Sequence, residues 1–447
     1  MSYKLSIVKN KMMKRIINIL ILLCCIASLS SCGNSTEERS RVLKIYNWAD
    51  YIDEDVLAEF PDWYKQQTGE DLRIIYQVFD INEIMLTKIE RGHEDFDVVC
   101  PSEYIIERML RKDLLLPIDR NFGHTPDYIP NVSPYIRHEL NKTSQPERQT
   151  EDYAVPYMWG TAGILFNKKF ITAEEADTWD ILWDSKNRGK ILMKDSYRDA
   201  YGTAIIYAHA RELADSTVTV EQLMNDNSPQ AIALAEQRLK EMKPNIAGWE
   251  ADFGKEMMTK NKAWINFTWS GDAVWAIEEA RAVGVDLAYE VPREGSNIWY
   301  DGWVIPKYAG NPKAAAYFIN YLCRPDIALR NMDAIGYVSA VATPEIMEAK
   351  RDTAIATRSD LSYFFGEGTG ADSLQINPVQ YPDRKVVERC AMIRDFGNRT
   401  ELVLEMWSRV KGDNLNTGIV LLIFSVFGVL FVWLVYGKIR TVSYTHL

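Results

Sequence analysis

The chain predicts an α/β fold in two lobes. From residue 43 strand and helix patterns alternate, which folds as a parallel sheet covered by helices. A second α/β stretch begins near residue 191, and 447 residues exceed what one hydrophobic core usually serves. With 47% hydrophobic and 25% charged residues the composition is globular rather than disordered.

The elements follow in order. Residues 43–46 alternate as a strand, and 54–68 place Val56, Phe60, Trp63 and Tyr64 on one helical face, with Pro61 expected to kink it. Residues 72–76 are β-rich, Asn82 is the expected cap of a helix to 91, and 96–100 form a nearly continuous apolar strand. A polar loop, 141–152, closes this unit. Next come a strand at 191–193, a helix over 201–213, and a helix to Met242 opened by Ser228-Pro229. Residues 263–269 alternate, and Ser270-Gly271-Asp272 turn into a helix around 275–282. The apolar strand 298–306 precedes a helix capped by Asn311-Pro312, which runs through Leu322 and ends at Pro325.

Both ends differ from this body. Residues 1–31 have a basic start, an apolar run and a small-residue exit, the three parts of a secretory signal. Leu29-Ser30-Ser31-Cys32 has the form of a bacterial lipobox, which makes Cys32 the expected lipidation site and 32–41 a polar tether. Residues 418–436 are uncharged and mostly apolar, long enough for a transmembrane helix at 1.5 Å per residue. Residues 442–447 read like translated adapter sequence. The two ends hold seven of the 51 basic residues and no acid, so the body carries 44 basic against 62 acidic residues, a net charge of −18. Such a surface repels nucleic acid and attracts cations.

Catalytic signatures are missing. There is no Gly-x-Ser-x-Gly elbow, no Cys-x-x-Cys pair and no phosphate-binding glycine loop, and the five histidines show no metal-ligand spacing. No enzyme activity, cofactor or metal is therefore expected. Cys100, Cys323 and Cys390, an odd number, imply no disulfide framework.

Instead, aromatic and acidic residues gather at strand ends. Trp48, Asp50 and Tyr51 follow the first strand, and ligands of open α/β sheets bind outside the carboxyl ends of strands. Indole faces attract ammonium groups within about 6 Å and cover methylenes, while a carboxylate supplies the counter-charge. Ser102 and Tyr104 follow the third strand, and Trp269 with Asp272 flank another strand-to-helix turn. Trp299 and Asp301, two apart in a strand, share a face that Tyr300 does not. A carboxylate in so apolar a strand is costly unless a cation compensates it.

Together Tyr46-Asn47-Trp48-Ala49-Asp50-Tyr51, Val98-Val99-Cys100-Pro101-Ser102-Glu103-Tyr104, Val155-Pro156-Tyr157-Met158-Trp159-Gly160, Trp299-Tyr300-Asp301 and Leu322-Cys323-Arg324-Pro325-Asp326 resemble, in this order, the spermidine/putrescine-binding proteins of bacterial polyamine ABC transporters. The resemblance covers roughly 42–345 and continues more weakly to about 411. It implies a two-lobed type 2 periplasmic-binding-protein fold with a hinge cleft, lobe 1 being 42–153 with 300–345 and lobe 2 being 154–299 with 346–411. It also implies a periplasmic or extracytoplasmic protein that delivers a polyamine to ABC permease subunits, and the lipobox and 418–436 make a membrane-anchored one the expectation. Trp48, Asp50, Tyr51, Ser102, Tyr104, Asp199, Trp269, Trp299, Asp301 and Tyr337 fall on ligand positions of the family, with Asp50, Asp199 and Asp301 facing amines. Asp272 resembles the putrescine-preferring branch, whereas Ala49 and Ser196 depart from the pattern and leave the choice between putrescine and spermidine open. Alternatives are a membrane-tethered polyamine sensor or fused receptor domain, and a ferric-ion-binding protein of the same fold, which would need clustered tyrosines, whereas Tyr207, Tyr300 and Tyr337 are scattered.

Overall fold

The computed structural model describes residues 39–251 and 253–412, together with Ser425. The expected signal peptide, Cys32, and, apart from Ser425, the apolar segment 418–436 and residues 442–447 lie outside the described residues. Among the described residues no helix is long and apolar enough to cross a membrane. Arg39 to Arg41, the end of the stretch read as a tether, belong to the folded body: Arg39 pairs with Asp95 and Asp97, and Arg73 N donates to Arg41 O.

Eleven strands form the framework, in chain order β1 (Val42–Trp48), β2 (Arg73–Phe79), β3 (Val98–Val99), β4 (Leu115–Leu116), β5 (Ala154–Asn167), β6 (Ile191–Lys194), β7 (Ile246–Glu250), β8 (Ile265–Trp269), β9 (Leu287–Glu290), β10 (Ile298–Pro306) and β11 (Val338–Ser339). Along the main path they lie in the order β2-β1-β3-β10-β5-β8-β6-β7. The expected parallel pairing holds within two triplets, β2-β1-β3 and β8-β6-β7. Between them the expectation of a wholly parallel sheet is corrected, because β10 and β5 run antiparallel to their neighbours. Strand β5 ties the halves together: its residues 154–161 pair with β10, and 162–167 with β8 and β9. All fourteen of its residues are buried, so two-sided burial rather than alternation shaped its sequence.

Local chemistry explains the helices. In α1 (Glu54–Thr68), Asp53 caps the start by accepting from Asp55 N at 2.9 Å, and Gly69 ends it at φ 76°. Pro61 sits inside one continuous helix, whose buried Val56, Phe60 and Tyr64 hold it across the lost hydrogen bond. In α2 (Asn82–Glu90) the cap is Ile81 and Asn82 is the first helical residue, because the Asn82 amide instead donates to Ser102 Oγ and Tyr104 OH. The Ser228 and Asn311 caps form as expected.

The strand expected over 96–100 is shortened to Val98–Val99 by Asp97, which lies at 0% exposure. Its carboxylate accepts from Lys44 N at 2.8 Å, Asn311 N at 2.6 Å and Arg39 Nη2 at 2.9 Å, fastening β1 to the start of a later helix. Asp97→Ala removes all three partners' acceptor at once and is expected to cost about 3 kcal/mol or more, read as a lower urea midpoint with unchanged slope. A midpoint equal to wild type would mean that this junction is dispensable.

Candidate functional site

The carboxyl ends of both parallel triplets open on one cleft of about 1170 Å³. Trp48 ends β1, Phe79 ends β2, Glu250 ends β7 and Trp269 ends β8, and all four line it. Every residue singled out from the sequence lines it as well: Trp48, Asp50, Tyr51, Ser102, Tyr104, Asp199, Trp269, Asp272, Trp299, Asp301 and Tyr337. These span nearly the whole body of the chain, so the topology and not sequence proximity assembles them.

Asp301 has the least compensated charge. Trp299 and Asp301 point into the cleft, while Tyr300 on the other face of β10 reaches toward Tyr135. Asp301 Oδ2 accepts from Tyr51 OH at 2.8 Å. The Ser102 hydroxyl lies close enough to favour the charged form but makes no hydrogen bond of normal geometry, and buried Oδ1 has no partner among the described residues. No described cation forms a salt bridge with it. Burial therefore pushes this carboxyl up to about 6, with the Ser102 and Tyr51 hydroxyls only partly opposing. Behind it, Glu103 accepts from Tyr300 N at 3.0 Å, and burial holds the Glu103 carboxyl far above its usual range.

Asp199 sits at the start of α4 (Tyr197–Ala208, α3 being Glu103–Arg111), in the opposite half. It accepts from Asn297 Nδ2 at 2.9 Å and Trp269 Nε1 at 3.3 Å, both neutral donors, and burial again raises its pKa. Asp272 differs. It opens α6, the helix Ser270–Ala282 (α5 being Pro229–Met242), and its Oδ2 meets Lys194 Nζ at 2.7 Å while Oδ1 accepts from Tyr337 OH at 2.9 Å. Lys194 also approaches Glu250 at 3.1 Å.

Aromatic rings frame these acids in fixed poses. Tyr51 meets Tyr337 edge-to-face at 5.1 Å, and Tyr337 meets Trp299 at 5.6 Å. Two glycines permit this closeness. A Cβ at Gly271 would lie 2.3 Å from the Tyr337 ring, and one at Gly160 would lie 2.7 Å from Trp299. Asp50, in the turn after Trp48, adopts φ 51°, a left-handed conformation that Asp tolerates better than most residues.

Sequence reasoning missed Lys194, Glu250, Glu103 and Asn297. The first two end neighbouring strands in register, so strand-end position was their one available signal. Among the described residues the lining holds thirteen Asp or Glu against Arg198, Lys255 and Lys411. That field concentrates cations, and the rings make it suited to organic ones. No group of His, Cys, Asp or Glu among the described residues is arranged to hold a metal ion.

Residues 62–357 match the family model of bacterial extracellular solute-binding proteins. The chain is 28% identical over 374 residues to the spermidine/putrescine-binding periplasmic protein of Salmonella typhimurium, covering 83% of this chain and 91% of that one. It is 29% identical over 324 residues to a putrescine-binding periplasmic protein of Escherichia coli, covering 70% and 82%. A solved spermidine/putrescine ABC transporter substrate-binding protein of Streptococcus pneumoniae superposes with TM-score 0.60 at 28% identity, over 83% of this chain and 99% of that one. The fold is also that of a Treponema pallidum lipoprotein, with TM-score 0.62 at 23% identity.

The Asp301 environment has a signed consequence for stability. A carboxyl raised to about 6 in the folded chain, above its unfolded value, destabilises the fold at neutral pH, and that penalty disappears as pH falls through 6 toward 4. Asp301→Asn is thus expected to stabilise the ligand-free protein at pH 7.5 by about 1–3 kcal/mol, seen as a higher Tm, and to leave it little changed at pH 4. A lower Tm at pH 7.5 would show that the carboxylate is compensated.

Proposed function

The chain belongs to the bacterial extracellular solute-binding proteins, and on that footing we propose that it captures a linear polyamine, putrescine or spermidine, and presents it to ABC permease subunits. The observation that carries this reading is the Asp301 carboxylate, held in an aromatic cleft with no cation and one oxygen unpartnered among the described residues. The curated relatives and the streptococcal structure are named for the same ligands. Members of this family bind rather than transform their solute.

In the proposed complex one ammonium meets Asp301 Oδ1 and another meets Asp199. Trp299, Trp269, Trp48, Tyr51, Tyr104 and Tyr337 cover the methylenes and contribute cation–π attraction. Asp50 and Ser102 supply polar contacts at the strand ends of the first half. Desolvation makes each ion pair strong but also makes each unmatched carboxylate costly, so sugars and neutral amino acids are excluded. A ferric-ion reading is not favoured: Tyr207 stacks on Trp183 at 3.8 Å, Tyr300 faces away, and of the three tyrosines it would use only Tyr337 lines the cleft.

The lobes we assign are 42–153 with 300–345 and 154–299 with 346–411, hinged where β5 and β10 pair. The packing of α9 (Thr400–Gly412, after α7, Pro312–Leu322, and α8, Pro325–Ile335) on α5 supports placing the chain's last helix with the second lobe. The turn 362–365, however, is tied to the first lobe by Ser133 Oγ donating to Phe364 O, so 346–411 reaches across both. Lipid on Cys32, and a further hold by 418–436, would keep the protein at the extracytoplasmic face of the membrane.

Calorimetry is expected to show saturable binding of putrescine or spermidine and none of glucose or leucine. Asp301→Asn is expected to lose about 2–5 kcal/mol of binding, roughly thirtyfold or more in Kd, because a desolvated ammonium keeps no counter-ion. Trp299→Ala should weaken binding with a smaller salt dependence, since it removes coverage rather than charge. Binding by Asp301→Asn within about twofold of wild type, the behaviour of an exposed pair, would remove Asp301 from the ligand. Labelled fatty acid should enter the wild type and not Cys32→Ala; equal labelling would refute the anchor.

A further inference from the structure

We propose that Lys194 is the residue that sets polyamine length, acting as a built-in ammonium group that occupies the place of a third ligand amine. The inference rests on the polyamine reading of the cleft and assigns a role to a side chain that the proposed ligand does not touch. Lys194 is only 1% exposed. It ends β6 beneath the lining, with Nζ 2.7 Å from Asp272 Oδ2, 3.1 Å from Glu250 Oε1 and 2.8 Å from the carbonyl of Ala251, and it lies 4.6 Å from the centroid of the Trp269 ring. A carboxylate pair, a backbone carbonyl and an indole face make up a complete ammonium site, and the chain fills it with its own amine.

The remaining acceptors are equally committed. Asp272 Oδ1 takes Tyr337 OH, Glu250 Oε2 takes Gly254 N at 3.0 Å, and Glu250 Oε1 also takes Asn266 Nδ2 at 3.4 Å. All four oxygens of Asp272 and Glu250 therefore already accept a hydrogen bond or ion pair. Asp301 and Asp199 do not share this protection, since their partners among the described residues are neutral and Asp301 Oδ1 has none. Asp301 and Asp199, one in each half, offer places for two ammonium groups. A diamine compensates both, whereas a third ammonium would meet a like charge where Asp272 and Trp269 would otherwise receive it.

The test compares putrescine, spermidine and N-propylputrescine, whose propyl arm lacks the terminal ammonium of spermidine, by calorimetry on the whole protein and on Lys194→Ala. In the wild type the third ammonium is expected to gain nothing, so spermidine and N-propylputrescine bind within about threefold of one another. Removing Lys194 opens Asp272 and Glu250, and spermidine should then exceed N-propylputrescine by about tenfold or more, the size of one new desolvated ion pair. A wild type that already favours spermidine over N-propylputrescine by tenfold overturns the inference, as does a folded Lys194→Ala with an unchanged ratio. If Lys194→Ala does not fold, the wild-type comparison decides alone. If the wild type binds none of the three amines, the polyamine reading itself fails and this inference with it, an outcome distinct from binding without discrimination.

Discussion

A carboxylate buried without a cation is the constraint on which the rest of this molecule turns. Asp301 sits at 6% exposure between aromatic rings, with one oxygen on a tyrosine hydroxyl and the other without a hydrogen-bond partner among the described residues. An arrangement of this kind weakens the free protein and has value only if a cation arrives. The surroundings are consistent with that purpose. Rings already locked edge-to-face lose little freedom on binding, and glycines at 160 and 271 let them close in.

The fold makes this possible by bringing two sets of parallel strand ends to one place. Each triplet is an ordinary α/β unit whose carboxyl ends would form a shallow crevice by itself. Joining them through β5, which pairs with one half over its first residues and with the other over its last, turns two crevices toward each other. The ligand-facing acids then come from opposite halves, Asp301 from β10 and Asp199 from α4. A bridging diamine would therefore favour an arrangement in which the two halves are drawn together.

Much of this was legible in the sequence, and the reasons differ by element. The first triplet, β6 and β8 were readable from alternating or apolar runs set between helical patterns, whereas β7, only partly buried, was not; Trp48, Asp50 and Tyr51 stood out because aromatic and acidic residues seldom follow a strand without cause. Trp299 and Asp301 were placed on one face by the two-residue period alone. The antiparallel β5 was not readable as such, since a strand buried throughout carries no sign of its direction. Asn82 was misassigned as a cap because its amide serves Ser102 and Tyr104, partners about twenty residues away that no local rule could supply. Lys194 went unnoticed for a related reason. A lysine ending a strand is normally a solvated one, and its burial against Asp272 and Glu250 depends on contacts 78 and 56 residues distant in sequence.

The central claim is that Asp301 and Asp199 stand unneutralised in order to receive the two ammonium groups of one ligand. A crystal structure of the protein with putrescine tests it most directly. The account predicts one ligand nitrogen within about 3 Å of Asp301 Oδ1, the other within hydrogen-bonding distance of Asp199, and the four methylenes lying against Trp299 and Trp269. Putrescine bound elsewhere, or bound in the cleft with both nitrogens away from Asp301, would contradict it.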